Sequence, residues 1–270
     1  MGFDVALRGL HFGYGSGPDV LRGVSLDVAA GQVAALLGAN GVGKTTLTRL
    51  IAGLLRPRAG RISVGDWDVA TKRPDEMARR VGYAFQHADQ QLFARTVRDD
   101  VAFGPRSLGL GEAGVAGVLE ELGLSAAAGT HPYDLPAPVR KLVTLAGVLA
   151  MDPGVLVLDE PTAGFDLAMR DLVVAAIARR AARGTSVLVV SHDLAFVAEV
   201  AGRVVVLRDG LIVADESARR LLSHTATLRA MGLRPPPAAA VGLALNLAGE
   251  PVRVAEVVER LRGVRWTPAP

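Results

Sequence analysis

Two short segments hold most of the chemistry this sequence can perform. The first is Gly38-Ala39-Asn40-Gly41-Val42-Gly43-Lys44-Thr45, with Thr46 directly after it. Glycines let bare backbone lie against an anion where a Cβ would collide or where φ must be positive. Successive N–H groups and a helix N-terminus can then point at phosphates. A lysine at Lys44 neutralises β- and γ-phosphate oxygens, and the Thr45 hydroxyl completes the shell of a Mg²⁺ ion. The full G-x-x-x-x-G-K-[ST] pattern predicts a nucleoside triphosphate site. The second segment is Val155-Leu156-Val157-Leu158-Asp159-Glu160, an apolar run that ends in two carboxylates. A buried strand of this kind delivers Asp159 to a metal at the carboxyl edge of a sheet. Glu160 is then placed to accept a proton from an attacking water.

The elements that must position these groups are legible as alternating apolar runs. Val5–Leu10, Val24–Val28, Val33–Leu37, Arg61–Val64 and Val81–Phe85 read as strands, with Asp19, Gly23 and Gly31 as punctuation. Thr45–Leu55 has helical spacing, as do Val97–Phe103, Gly114–Leu122 and Val139–Ala150. The strand signal returns at Val155–Leu158 and Ser186–Val190. It ends with Arg203–Leu207 paired to Leu211–Ala214 across Asp209-Gly210, a strong hairpin cue. Strands alternating with helices predict a mostly parallel sheet covered by helices. The helical block between Gln86 and Val155 reads as a separate lobe. Pro235-Pro236-Pro237 marks a break that no helix passes. Beyond it, Val254, Val257, Val258 and Leu261 form one face of an expected helix over Val252–Leu261.

Composition narrows the function. The 270 residues are 50% apolar and 21% charged, which is globular and long enough to bury a substantial core. The net charge of +3 is too small for the basic face that nucleic-acid binding needs, so no nucleic-acid partner is expected. Cysteine is absent, which excludes disulfides and thiolate metal sites and suits a reducing compartment. The opening MGFDVALRGLHF lacks the pattern of a signal peptide. The apolar runs Leu142–Met151 and Ala238–Leu245 are well short of the ~20 residues that span a bilayer. A soluble protein is expected, with any membrane role exercised through a partner.

Asp159-Glu160-Pro161-Thr162-Ala163-Gly164-Phe165-Asp166, followed by Val190-Ser191-His192-Asp193, resembles the ATPase subunit of an ATP-binding cassette (ABC) transporter. The resemblance implies a P-loop NTPase core of the α/β class: a mostly parallel sheet, an antiparallel β subdomain and an inserted helical subdomain. It implies ATP and Mg²⁺ as ligands, Asp159 on the metal, Glu160 as catalytic base and His192 on the γ-phosphate. Tyr14, 24 residues ahead of Gly38, matches the aromatic that stacks on adenine. Gln86 matches the glutamine that links nucleotide and metal to the transmembrane partner. Phe85–Phe93 and Thr96–Pro105 are further similar to the energy-coupling factor subclass, whose cassettes energise uptake of vitamins or of cobalt and nickel ions. The implied organisation is an ATPase domain over 1–225, with the helical subdomain at about 92–150, and a C-terminal extension over 226–270 that serves cassette pairing. The implied partners are a second cassette, a transmembrane coupling subunit and a substrate-binding membrane subunit, which together hold the chain at the cytoplasmic face of the membrane.

One segment departs from the family. The Leu-Ser-Gly-Gly-Gln signature reads here as Leu135-Pro136-Ala137-Pro138-Val139. A serine hydroxyl is lost, and two prolines lack backbone N–H groups. In the family this loop completes the site held by the opposite cassette. The expectation is therefore an asymmetric pair, in which this chain's own site works against an intact partner. Arg140 and Lys141 are expected to be a solvated first helical turn. Two other classes compete with the transport ATPase. One is a catalytically quiet scaffold cassette, which the complete set of site residues disfavours. The other is a chromosome-maintenance ATPase, which needs coiled coils absent between Gln86 and Leu135.

Overall fold

The computed structural model describes residues 2–85 and 91–262. Its centre is a six-stranded sheet made of β3 (Val33–Leu37), β6 (Val81–Ala84), β7 (Val155–Asp159), β8 (Ser186–Val190), β9 (Arg203–Arg208) and β10 (Leu211–Ser217). Their order across the sheet is β10-β9-β3-β8-β7-β6. Every neighbouring pair is parallel except β9 and β10. That pair is the expected hairpin. Asp209 (φ 51°) and Gly210 (φ 76°) supply the two left-handed residues its tight turn requires.

A second, antiparallel sheet holds β1 (Val5–Phe12), β2 (Leu21–Val28), β4 (Ala59–Val64) and β5 (Trp67–Asp68), in the order β2-β1-β4-β5. The fold is thus the expected α/β class, with a mostly parallel sheet and a separate antiparallel one. Both strands of the first hairpin run longer than the apolar runs alone suggest, because ladder pairing reaches the polar residues of the turn.

Side-chain alternation explains the layering. On β7, Val155 and Val157 enter one core with α1 (Lys44–Ile51) and the antiparallel sheet. Leu156 and Leu158 enter the opposite core. That core is shared with α3 (Val97–Ser107), α4 (Val115–Glu121), α5 (Ala137–Ala150) and α6 (Leu167–Ala182). The short α2 (Pro74–Met77) buries Met77 in the first core. A third cluster joins Ala35 and Leu37 of β3 to α7 (Leu194–Val200), α8 (Ala218–Ser223) and α9 (Thr225–Ala230). Ala239 of α10 (Pro237–Ala244) and Val252, just before α11 (Val254–Arg262), close it.

Several boundaries differ from the expected ones. Helix α1 stops at Ile51 rather than Leu55, because Gly53 turns left-handed (φ 72°). The Gly53 and Leu54 N–H groups then bond back to Leu50 and Arg49, a Schellman closure. Helix α10 was not foreseen; it starts where Pro237 occupies its first turn, a position that needs no N–H donor. Of the face expected on α11, Val257 is buried, while Val254 and Val258 are exposed.

Candidate active site

The carboxyl ends of β3, β8 and β7 lie side by side, and each is followed by chemistry. From β3 the chain enters the glycine loop and then α1. Gly38 has φ 149°, and a Cβ there would sit 2.2 Å from the Leu207 carbonyl oxygen, so only glycine fits. Gly43 caps α1 in the left-handed region, at φ 105°. Its conformation aims the first N–H groups of the helix into the loop, where an anion would be held. Lys44 folds back over this loop and donates to the Gly38 and Ala39 carbonyls, each at 2.8 Å. Burial lowers the Lys44 pKa, and the nearby Glu160 and Asp159 carboxylates oppose that shift.

From β7 come Asp159 and Glu160. Asp159 is buried at 2% exposure, and its Oδ2 accepts the Thr45 hydroxyl at 2.9 Å and the Tyr83 phenol at 3.3 Å. The Tyr83 hydroxyl also pairs with the Thr48 hydroxyl at 3.0 Å, and burial pushes its pKa up to about 12. It therefore stays a neutral donor. Carboxylate and hydroxyl form an all-oxygen donor set that suits Mg²⁺.

Glu160 adopts φ 51°, unusual for a residue with a side chain. Its N–H bonds to the Val190 carbonyl of β8 at 2.8 Å. Oε2 accepts the Ser191 hydroxyl at 3.3 Å. Oε1 is buried with no hydrogen-bond partner, and His192 Nε2 stands 3.5 Å from it. Desolvation raises the Glu160 pKa, with His192 pulling the other way. A buried carboxylate with one unused oxygen is equipped to take a proton from a water held beside it.

A cleft of about 440 Å³ gathers these groups. Tyr14, Asn40, Gly41, Gly43, Lys44, Thr45, Thr46, Asp159, Glu160 and His192 all line it. Tyr14 enters from the antiparallel sheet, half exposed, with its ring edge-on to Phe12 and its hydroxyl 3.0 Å from the Thr46 hydroxyl. Val42 instead packs against the core, and Gly38 and Ala39 serve through their carbonyls. Gln86 lies outside the described residues. Tyr83, Ser191 and Lys141 were not singled out as site residues from sequence. Only strand pairing reveals that Tyr83 and Ser191 reach Asp159 and Glu160.

Residues 21–163, more than half of the chain, match the ABC transporter family. The chain belongs to that family. It is a transport ATPase, and ATP is its nucleotide. An energy-coupling factor transporter ATP-binding protein, EcfA of Methanothermobacter thermautotrophicus, is 37% identical over 94% of this chain and 84% of its own length. The cobalt import ATP-binding protein CbiO of Rhodobacter capsulatus is 39% identical over 90% of this chain and 89% of its own. Among solved structures, cbiO1 of Clostridium perfringens, part of the ABC transporter complex cbiONQ, superposes with a TM-score of 0.76. It is 28% identical, and the match covers 92% of this chain and all of that one.

The altered signature of this ABC ATPase forms the start of α5. Pro136 is the N-cap residue and Pro138 falls in the first turn, so two of the positions that would offer free N–H groups have none. The expectation of a solvated Arg140 and Lys141 is corrected. Arg140 is half buried with its guanidinium 5.6 Å from the Tyr133 ring centroid, and its Nε is buried without a hydrogen-bond partner. The Lys141 ammonium donates to the backbone carbonyls of Glu160 and Ala163. Its stem crosses from α5 to the loop after β7, and the residue is partly buried rather than fully solvated.

Proposed function

We propose that this chain binds ATP with Mg²⁺ in the cleft described above and hydrolyses it to energise micronutrient import, of a vitamin or of cobalt or nickel ions, through an energy-coupling factor transporter. The observation that carries the reading is the convergence of Lys44, Thr45, Asp159, Glu160 and His192 on one cleft at three adjacent strand ends. The relatives named for energy-coupling factor transport and cobalt import support the subclass.

In this reading Tyr14 carries the adenine on its exposed ring, and the loop from Gly38 to Gly43 wraps the phosphates with N–H groups. Lys44 leaves the Gly38 and Ala39 carbonyls for the β/γ oxygens. Thr45 and Asp159 hold the metal, whose charge when bound offsets that of the phosphates; Gln86 is the further ligand proposed from sequence. Glu160 orients a water through Oε1 and takes its proton, and His192 steadies the γ-phosphate.

The altered signature acts on the opposite nucleotide, so an asymmetric pair with a second, intact cassette is favoured over a homodimer. Residues 226–270 are proposed as the pairing extension of an ATPase domain spanning 1–225, with a helical subdomain at about 92–150. An open groove of about 390 Å³ between α3 and α5 is lined by Leu92, Phe93, Phe103 and Met151. It is the proposed seat of the transmembrane subunit, which would hold the chain at the cytoplasmic face. No described helix is long and apolar enough to cross a membrane itself.

The test is Mg²⁺-ATPase activity of the purified chain, alone and co-expressed with candidate partner cassettes, with Glu160→Gln beside it. Turnover that needs a partner and is lost with Glu160→Gln is the expected result. Nucleotide binding without turnover in every pairing would favour a scaffold cassette instead.

A further inference from the structure

We infer that Lys141 is a positioning residue that fixes the Glu160 carboxylate from α5, so that the seating of the helical elements sets the geometry of the hydrolytic site. The inference rests on the reading of Glu160 as the base. Glu160 sits in the left-handed region at φ 51°, a strained conformation for a residue with a side chain that persists only where its surroundings impose it.

Both sides of this residue are held. Its N–H is bonded to Val190 of β8 at 2.8 Å. Its C=O accepts the Lys141 ammonium and, more distantly, the Ala163 N–H at 3.4 Å. The same ammonium reaches the Ala163 carbonyl at 3.5 Å and stands 5.9 Å from the Phe165 ring centroid. One cation therefore spans the loop from Glu160 to Phe165. The torsions of Glu160 decide whether its carboxylate stays between Ser191 and His192.

Lys141 is the fifth residue of α5, just before the buried Leu142 and Val143 that seat the helix in the second core. A shift of α5 relative to β7 moves the ammonium off the carbonyl and releases the strained residue. The chain thus joins its altered helix start to its own base through a side chain.

The test uses the full chain in whichever pairing gives the highest turnover, with Lys141→Met, Lys141→Arg and Glu160→Gln compared. Methionine keeps the stem and removes the donors. Lys141→Met should lower kcat by about 10–100-fold, the effect of a misplaced catalytic group. KM for MgATP and the affinity for a fluorescent ATP analogue should stay within about twofold. Amide exchange over residues 160–166 should rise, and Lys141→Arg should recover most of kcat. Unchanged kcat and exchange in Lys141→Met would overturn the inference. So would an equal loss in Lys141→Arg together with a lowered melting temperature. Wild-type turnover in Glu160→Gln would instead remove the base itself, while the exchange of residues 160–166 still reads out the Lys141 contact on its own.

Discussion

The Thr45 hydroxyl donates to Asp159 Oδ2 at 2.9 Å, joining the start of α1 to the end of β7 across 114 positions of sequence. The contact brings a hydroxyl and a buried carboxylate to one point beside Lys44, and the Tyr83 phenol holds the same oxygen from β6. The pair makes the role of each residue measurable.

Replacing Asp159 with Asn should raise the Mg²⁺ concentration required for half-maximal turnover. Tyr83→Phe, which removes only the supporting donor, should weaken metal affinity by about 10–100-fold, as loss of an outer hydrogen bond to a ligand does. Mn²⁺ binding in the presence of ATP, followed by electron paramagnetic resonance, checks both without relying on turnover. Unchanged Mn²⁺ affinity in Asp159→Asn would take Asp159 out of the metal site.

Glu160 should give opposite signs in activity and stability. Burial holds its pKa above the ordinary 4.5, so the folded chain binds this proton more tightly than the unfolded chain. The stability it contributes is full below pH 4.5 and is lost as pH rises through the folded-state value. Glu160→Gln should therefore raise the melting temperature at mildly alkaline pH, with the difference shrinking at acid pH. Turnover should fall by about 10²–10⁴-fold, and the wild-type rate should rise with pH through the same raised value. Melting curves and rate profiles recorded across one pH series decide both.

The start of α5 should control turnover of the chain paired with itself. Restoring Leu-Ser-Gly-Gly-Gln by Pro136→Ser, Ala137→Gly, Pro138→Gly and Val139→Gln returns a hydroxyl and two N–H donors. Homodimer ATPase activity should rise by about 10²–10³-fold, the value of a donor aimed at transition-state charge. Activity equal to wild type after this change would end the asymmetric-pair reading.

A structural anchor lies far from the cleft. Glu121, the last residue of α4, is held by Arg179 at 2.8 Å and by the buried Arg180 of α6. Glu121→Ala leaves Arg180 buried without its acidic partner, and its Nε has no hydrogen-bond partner to begin with. The chain should lose about 3–5 kcal/mol of stability, measurable by denaturant unfolding. Arg179→Ala, exposed and redundant, should cost about 1 kcal/mol or less.

Sequence alone determined the nucleotide loop, the two carboxylates and the β9–β10 hairpin, because each depends on local chemistry. Glycines at Gly38 and Gly43, a lysine at the helix start and an Asp-Gly turn act within a few residues of themselves. Continuous apolar runs likewise specified the central strands, since Val155 and Leu156 face different cores and both faces are buried. What only the tertiary structure decided is which distant groups meet. Nothing in the local pattern says that Tyr83 will reach Asp159, or that Ser191 will hold Glu160, because strand order is set by packing of the whole sheet. The same holds for Lys141: two adjacent cations, Arg140 and Lys141, suggest a solvated turn, and only the docking of α5 against β7 turns the Lys141 ammonium onto the Glu160 carbonyl.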